Sequence, residues 1–314
     1  MSEGEMFVIK VPGSTANLGP GFDSIGLALN LYLTLEAERA DHFEMIPLSA
    51  PLSIYPSDES NFIFQVANET AKKYGRELPG CKARISSEIP LTRGLGSSAA
   101  AIVAGIELAD ALCGLQLSQQ EKLELSSRME GHPDNAGASL LGGMVIGCQS
   151  EEEVNVQSIK NLSLDIVAVI PKEELLTKES RGVLPESWSY KEAVQAGAVG
   201  NVMIAALLSG NYSLAGNMMK ADLYHHPYRK KMVPHLAAIE KVAPGLGAFG
   251  VALSGAGPAV LCLAEAGLAP AVSVGLKEIF PDMDILCLQI DQKGSSVLKK
   301  SLAEELELEF GYIY

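Results

Sequence analysis

The sequence predicts an α+β chain of two domains, on three observations. Its 314 residues exceed what one ordinary domain needs, and a 47% hydrophobic content can fill two cores. A strand-like piece, a glycine-rich loop and a helix follow one another directly over 83–112. Beyond an acidic connector at 151–157 the order becomes strand, helix, strand, strand, helix, strand, which is the ferredoxin-like arrangement. Composition turns polar at that connector, so the domains are expected to be 1–157 and 158–314.

Taken in order, residues 7–11 read as a strand that ends in Pro12-Gly13. A dense run of turn formers follows at 14–26 and holds two polar side chains, Asn17 and Asp23, both residue types that stabilise turns. Residues 31–38 alternate apolar and polar, as a half-buried strand does. Residues 61–74 carry Ile63, Val66, Ala67, Thr70 and Ala71 at helical spacing, with Asn61 as the helix-start residue. The strand at 83–89 feeds the loop, and Ile102, Ile106, Ala109 and Leu112 mark the helix at 97–112. The helix at 118–129 carries Glu121, Glu124 and Arg128, the pattern of a solvated face. A strand at 144–148 closes the first half. The second half is expected as a strand at 165–170, helices at 189–208 and beyond, strands at 248–253 and 260–264, a helix at 269–280 and a strand at 284–290.

The loop into the second of these helices is where chemistry concentrates. Gly94 and Gly96 let the backbone turn and approach a ligand, and Ser97 and Ser98 sit where an N-cap and a first-turn hydroxyl belong. Free N–H groups at a helix start, with the positive end of its dipole, suit a phosphate. A well-capped structural loop would use the same residues. A dinucleotide fingerprint (Gly94, Gly96, Ala99) is excluded because a second helix, not a parallel strand, follows. A Walker loop is excluded because no Lys-Ser/Thr follows the last glycine.

A net charge of −14 argues against nucleic acid or an anionic membrane as partner. Glu107 and Asp110 break the longest apolar run, so no membrane span is expected. Five scattered cysteines without a CxxC pair read as reduced thiols of a cytoplasmic protein. Residues 1–10 hold two glutamates and no basic n-region, so no signal peptide is expected.

The run from Pro90 to Ala100 resembles the phosphate loop of the GHMP kinases, Pro-x-x-x-Gly-Leu-Gly-Ser-Ser-Ala-Ala, at every fixed position. Residues 14–26 resemble the first motif of that family in its homoserine kinase branch, Ser-x-x-Ala-Asn-x-Gly-Pro-Gly-Phe-Asp-x-x-Gly. Glu130-Gly-His-Pro-Asp-Asn135 looks like a further stretch of that branch, although Ala136-Gly137-Ala138 replaces its Val-Ala-Pro. Ser254-Gly-Ala-Gly-Pro-Ala259 resembles the third motif, which closes the site from the second domain; as a plain hairpin turn it would need no function.

The resemblance implies a ribosomal-protein-S5-like α/β domain followed by the ferredoxin-like one, and ATP-dependent phosphorylation of L-homoserine on the route to threonine. It implies ATP contacts along Pro90, Leu91, Thr92, Arg93, Gly94, Leu95, Gly96, Ser97, Ser98, Ala99 and Ala100, with Asn61 at the adenine and Ser254, Gly255 and Gly257 closing over the loop. Substrate contacts fall on Asn17, Asp23, His132, Asn135, Arg181 and Arg229. The family's magnesium acid lies eight residues before its histidine, which lands on Glu124, to act with Ser98; Glu130 is the rival. Mg²⁺ prefers such hard oxygen ligands. A free amino acid needs an anion for its ammonium (Asp23 with Asn17) and cations for its carboxylate (Arg181, Arg229). Asp134 and Asn135 compete for the place of the family's catalytic base, with Asn135 as the assigned catalytic residue. A homodimer is expected. The alternatives are a GHMP kinase for another alcohol such as mevalonate, and a non-catalytic sensor on the same fold.

Overall fold

Phe7, Ile9 and Val11 start β1 (Glu5–Asn17), which runs past Pro12-Gly13, where composition alone would end it. Pro12 has no N–H to donate, and the register against β2 (Gly21–Arg39) shifts between Pro12 and Gly13, so the strand absorbs the proline at a bulge. The expected long turn at 14–26 shrinks to 18–20, and its other residues are strand. Asn17 and Asp23 keep a left-handed backbone (φ 76° and 54°), which Asn and Asp tolerate better than most residues. The computed structural model describes residues 5–301.

β2 is the hub of the first unit. Its far half pairs with β4 and its near half with β5, which lets one strand serve two sheet segments. The remaining elements of that unit are β3 (Glu44–Pro47), α1 (Phe62–Lys73), β4 (Cys81–Ser87), α2 (Ser97–Cys113), α3 (Gln119–Glu130), α4 (Pro133–Leu141), β5 (Met144–Gln149) and β6 (Val154–Ile159). Asn61 caps α1, its Oδ1 accepting the Ile63 N–H at 3.0 Å. Ser118 and Glu121 form a reciprocal capping box at the start of α3. α2 is buried on nearly every face, so packing fixes the helix whose N-terminus carries the loop.

The second unit follows as β7 (Leu164–Ile170), α5 (Thr177–Arg181), α6 (Tyr190–Leu208), α7 (Tyr212–Lys220), α8 (His226–Arg229), α9 (His235–Val242), β8 (Ala248–Leu253), β9 (Val260–Glu265), α10 (Ala269–Ile279) and β10 (Asp284–Leu288). Its antiparallel sheet has the order β10-β7-β9-β8, the ferredoxin-like order read from the sequence. A separate apolar cluster around Val167, Leu236, Val260 and Val272 fills this sheet's helix-covered face.

Two features differ from the expected division at 157/158. That point falls inside β6, which pairs with β5 through Ile159, so the acidic connector is half a strand. Val154 is buried within that acidic stretch and anchors it. The chain also returns: β11 (Ser296–Ser301) pairs with β1 in the first sheet. No helix among the described residues is long and apolar enough to cross a membrane.

Candidate functional site

The cap of α2 is Gly96, not a serine: its φ is 75°, and Ser97 and Ser98 are the first two helical residues. The first intrahelical bond runs from the Ala100 N–H to the Gly96 carbonyl (2.9 Å), so the N–H groups of Ser97, Ser98 and Ala99 have no partner within the helix. Neighbours crowd both glycines. A Cβ on Gly94 would lie 2.1 Å from the Ser254 carbonyl oxygen, and one on Gly96 would lie 2.3 Å from Ser14 Oγ. Glycine is required here first by β1 and the second-domain loop, and that contact fixes where the helix N-terminus points.

Two cavities meet at this helix start, sharing Thr92, Ser97 and Ser98. One, of about 290 Å³, is largely apolar and lined by Met45, Leu52, Tyr55, Ile85, Leu91 and Asn61. The other, of about 190 Å³, is charged and brings together Asn17, Asp23, Glu130, His132, Asp134, Asn135, Arg181, Arg229 and Gly255. The expected substrate residues, remote in sequence, therefore share one wall-to-wall pocket beside Ser98.

Other loop residues are placed differently from expectation. Leu95, Ala99 and Ala100 are buried in the core and can offer only backbone to a ligand. Arg93 turns away from both cavities and ties the loop to the second unit. Its Nε donates to the Pro171 carbonyl (3.1 Å), its Nη2 to that of Lys172 (2.6 Å), and Nη1 pairs with Glu174 (3.3 Å). Pro90 lines a separate cleft between the units. Ser254 Oγ lies within hydrogen-bond reach of the Gly94 carbonyl and of Thr15 Oγ1, and the Gly255 N–H donates to the Ala16 carbonyl (3.1 Å). The Ala259 N–H donates to the Arg93 carbonyl (3.2 Å), completing the clasp on the loop; Gly257 contributes no lining.

Glu124 lines neither cavity. It sits beside Gln120 on α3, whose Nε2 donates to it at 3.3 Å. Glu130, the rival acid, lines the charged cavity and accepts a hydrogen bond from Ser98 Oγ at 3.2 Å. The two acids are six positions apart, about 120° round the helix and about 9 Å along it, so both cannot face the loop. Burial pushes the Glu130 carboxyl above its ordinary range, against the opposing pull of His132 and Ser98.

Asp134 is buried, and its carboxylate holds His132 Nδ1 and the Asn135 N–H (2.6 Å). Burial pulls His132 down, but the hydrogen bond and charge of Asp134, with Asp23 and Glu130, outweigh it and raise the pKa. The Asn135 amide oxygen accepts from Ser14 Oγ (3.1 Å), a β1 residue that sequence reasoning passed over. Asn17 is a structural clasp as well as a wall residue. Its Nδ2 donates to the Gly255 carbonyl and its Oδ1 accepts the Asp23 N–H, both at 3.0 Å.

Asp23 and Arg181 form a two-pronged ion pair (3.0 and 2.6 Å), which raises the Arg181 pKa. Arg229 is 1% exposed and held only by neutral groups: the Ser180 and Gly255 carbonyls and His225 Nδ1. No carboxylate among the described residues forms an ion pair with it. Burial, then the charge of Arg181, lowers its pKa to about 10, so the cation persists at neutral pH.

His225 is locked as the neutral tautomer, Nε2–H donating to the Gly19 carbonyl (3.0 Å) and Nδ1 facing Arg229. His226 Nε2 accepts the Leu253 N–H (3.0 Å). Burial holds both below the ordinary 6.5, His225 well below. As pH falls through 6.5 the unfolded chain takes up protons that these two refuse, so stability is lost; His132, whose raised pKa leaves it protonated first in the folded state, works in the opposite sense and its gain levels off below the unfolded 6.5. Urea midpoints are expected to drop from about pH 6.5 to 5.5, at up to about 2.7 kcal/mol per pH unit for two protons. A flat profile over that unit would mean the pair is not buried neutral.

A family profile for the GHMP kinases N terminal domain matches residues 61–143, and one for GHMP kinases C terminal matches 203–282. The chain is 49% identical over 305 residues to a homoserine kinase of Bacillus velezensis, covering 97% of this chain and 99% of that one. The homoserine kinase of Bacillus licheniformis is also 49% identical, over 96% of this chain and 99% of its own.

The chain belongs to the homoserine kinase branch of the GHMP kinase family. The crystal structure of homoserine kinase from Cytophaga hutchinsonii superposes with a TM-score of 0.83 at 25% identity, over 95% of this chain and 99% of that one. A mevalonate kinase structure from Methanococcus jannaschii, 20% identical, aligns at 0.67 over 90% of this chain and 98% of its own, and shares the fold. The two-domain GHMP kinase fold expected from three short motifs therefore holds for the chain as a whole.

Proposed function

We infer that this GHMP kinase transfers a phosphoryl group from ATP to the side-chain hydroxyl of L-homoserine. Curated homoserine kinases matching nearly the full length support the activity. The observation that carries the substrate assignment is Arg229, a buried cation with no ion-pair partner among the described residues, beside the Asp23–Arg181 pair in the cavity that opens on Ser98. An amino acid's carboxylate suits Arg229 and Arg181, and its ammonium suits Asp23, so the zwitterion would take over an ion pair already built for it.

The adenine ring fits the apolar cavity, at whose wall Asn61 stands. The triphosphate reaches the free N–H groups of Ser97, Ser98 and Ala99 at the end of the helix dipole. Glu130 and Ser98 fit Mg²⁺: a buried carboxylate with a raised pKa gains from a cation, and both donors are hard oxygens. When bound there, Mg²⁺ supplies charge neutralisation at the phosphates. Placed by its carboxylate and ammonium, homoserine would extend its hydroxyl toward Asn135 and His132. Asp134 already holds His132 and the Asn135 N–H, and so is no free base. The hydroxyl proton is then left to the phosphoryl oxygens or water, and acceleration comes from positioning and charge. The expected homodimer rests on the family resemblance, and the expected cytoplasmic location on the scattered, unpaired cysteines.

A coupled ADP-release assay with L-homoserine, L-serine and mevalonate tests this. Turnover should require homoserine. ADP release with mevalonate and none with homoserine would assign the site to another alcohol, and no release with any of them would leave a binding protein.

A further inference from the structure

We propose that Phe22 is a positioning residue that holds the Arg229 and Arg181 guanidinium groups side by side without adding a second carboxylate, keeping Arg229 open for the substrate carboxylate. This rests on the assignment of those arginines given above. The guanidinium carbon of Arg229 lies 5.3 Å from the Phe22 ring centroid and that of Arg181 lies 5.4 Å away. Two cations meeting one benzene ring at nearly equal distance is the arrangement expected when the ring's negative π face is the shared partner.

The ring itself is held in place. It stacks on Tyr224 (6.3 Å, 19°), which stacks on Trp188 (4.9 Å, 18°), and it tilts against His225 at 5.5 Å. His225 in turn touches Arg229. Phe22 also lines the charged cavity, next in sequence to Asp23.

The physical problem it solves is specific. Two guanidinium groups close together repel: after burial, the charge of Arg181 lowers the Arg229 pKa, and the charges of Asp23 and Asp222 offset this only in part. A second carboxylate would relieve this repulsion but would occupy the place the substrate's carboxylate must take. A π face attracts both cations without taking up any of their in-plane N–H donors. Every other partner of Arg229 is likewise neutral.

The test reads KM and kcat separately. Phe22→Leu should raise the KM for L-homoserine about tenfold, with kcat and the KM for ATP within about twofold of wild type. Phe22→Tyr, which keeps the ring, should restore it. L-homoserinamide, which lacks the carboxylate, should show the same KM in wild type and Phe22→Leu. Because leucine could disturb the aromatic stack, a second series replaces Phe22 by mono-, di- and trifluorophenylalanine, draining π charge at nearly constant shape. The homoserine KM should climb stepwise along it. A homoserine KM that does not move along the fluorinated series overturns the proposal. Arg229→Lys separates this from the underlying assignment. If that variant loses homoserine selectively over the amide while the fluorinated series stays flat, only the role of Phe22 is wrong. If Arg229→Lys treats the two substrates as wild type does, the carboxylate site itself has been misplaced.

Discussion

Glu130→Gln is expected to lower kcat roughly a hundredfold or more, about 3 kcal/mol, the usual size of one lost electrostatic stabiliser at a transition state. Glutamine keeps the volume and can still accept from Ser98, so the change isolates the charge. ATP affinity measured without Mg²⁺ should hardly move, whereas the Mg²⁺ concentration needed for half-maximal rate should rise. Glu124→Gln should behave as an ordinary substitution outside the site, within about 0.5 kcal/mol of wild type. The spacing from the family's histidine selects Glu124; the hydrogen bond to Ser98 selects Glu130. Steady-state kinetics on the two variants decide between them, and a dead Glu124→Gln beside an active Glu130→Gln would restore the spacing assignment.

The second large effect is substrate choice at Asp23. A substrate without an ammonium group, 4-hydroxybutyrate, should be used with a kcat/KM tens to hundreds of times below that of homoserine. Breaking one partner of a desolvated pair costs about 3–5 kcal/mol, but Asp23 is about one third exposed, so solvent screening reduces the difference. Asp23→Asn should lose most homoserine activity and gain little on the analogue, because it also leaves Arg181 without its partner. Measuring homoserine, 4-hydroxybutyrate and mevalonate on one preparation checks it. Comparable values for the first two would make Asp23 only the holder of Arg181.

Much of the fold is local and could be read from residues in order. Asn61 caps α1 and Ser118 caps α3 because capping needs only neighbours two or three positions away. The ferredoxin-like order was legible because each of its strands and helices carries its own periodicity. The first motif was harder. Asn17 and Asp23 read as turn residues, yet both lie in strands, since pairing between β1 and β2 outweighs the turn preference of the segment. Asp134, buried in the pocket wall, cannot be told from Asn135 by sequence, because adjacent positions give no sign of which is engaged and which is open.

By itself the sequence determined the phosphate loop, the helix behind it and the chemical types that an ATP-dependent amino-acid kinase needs. Glycine geometry, helix ends and charge are properties of a residue and its near neighbours. Only the tertiary structure decided which of those residues point inward. The rotation of α3 brings Glu130 to Ser98 and leaves Glu124 beside Gln120. The same long-range packing sends Arg93 to the second unit, buries Arg229 among neutral hydrogen-bond partners, and returns β11 to β1. These outcomes depend on contacts between segments far apart in sequence or on which face of a helix meets the core, and no local preference encodes either.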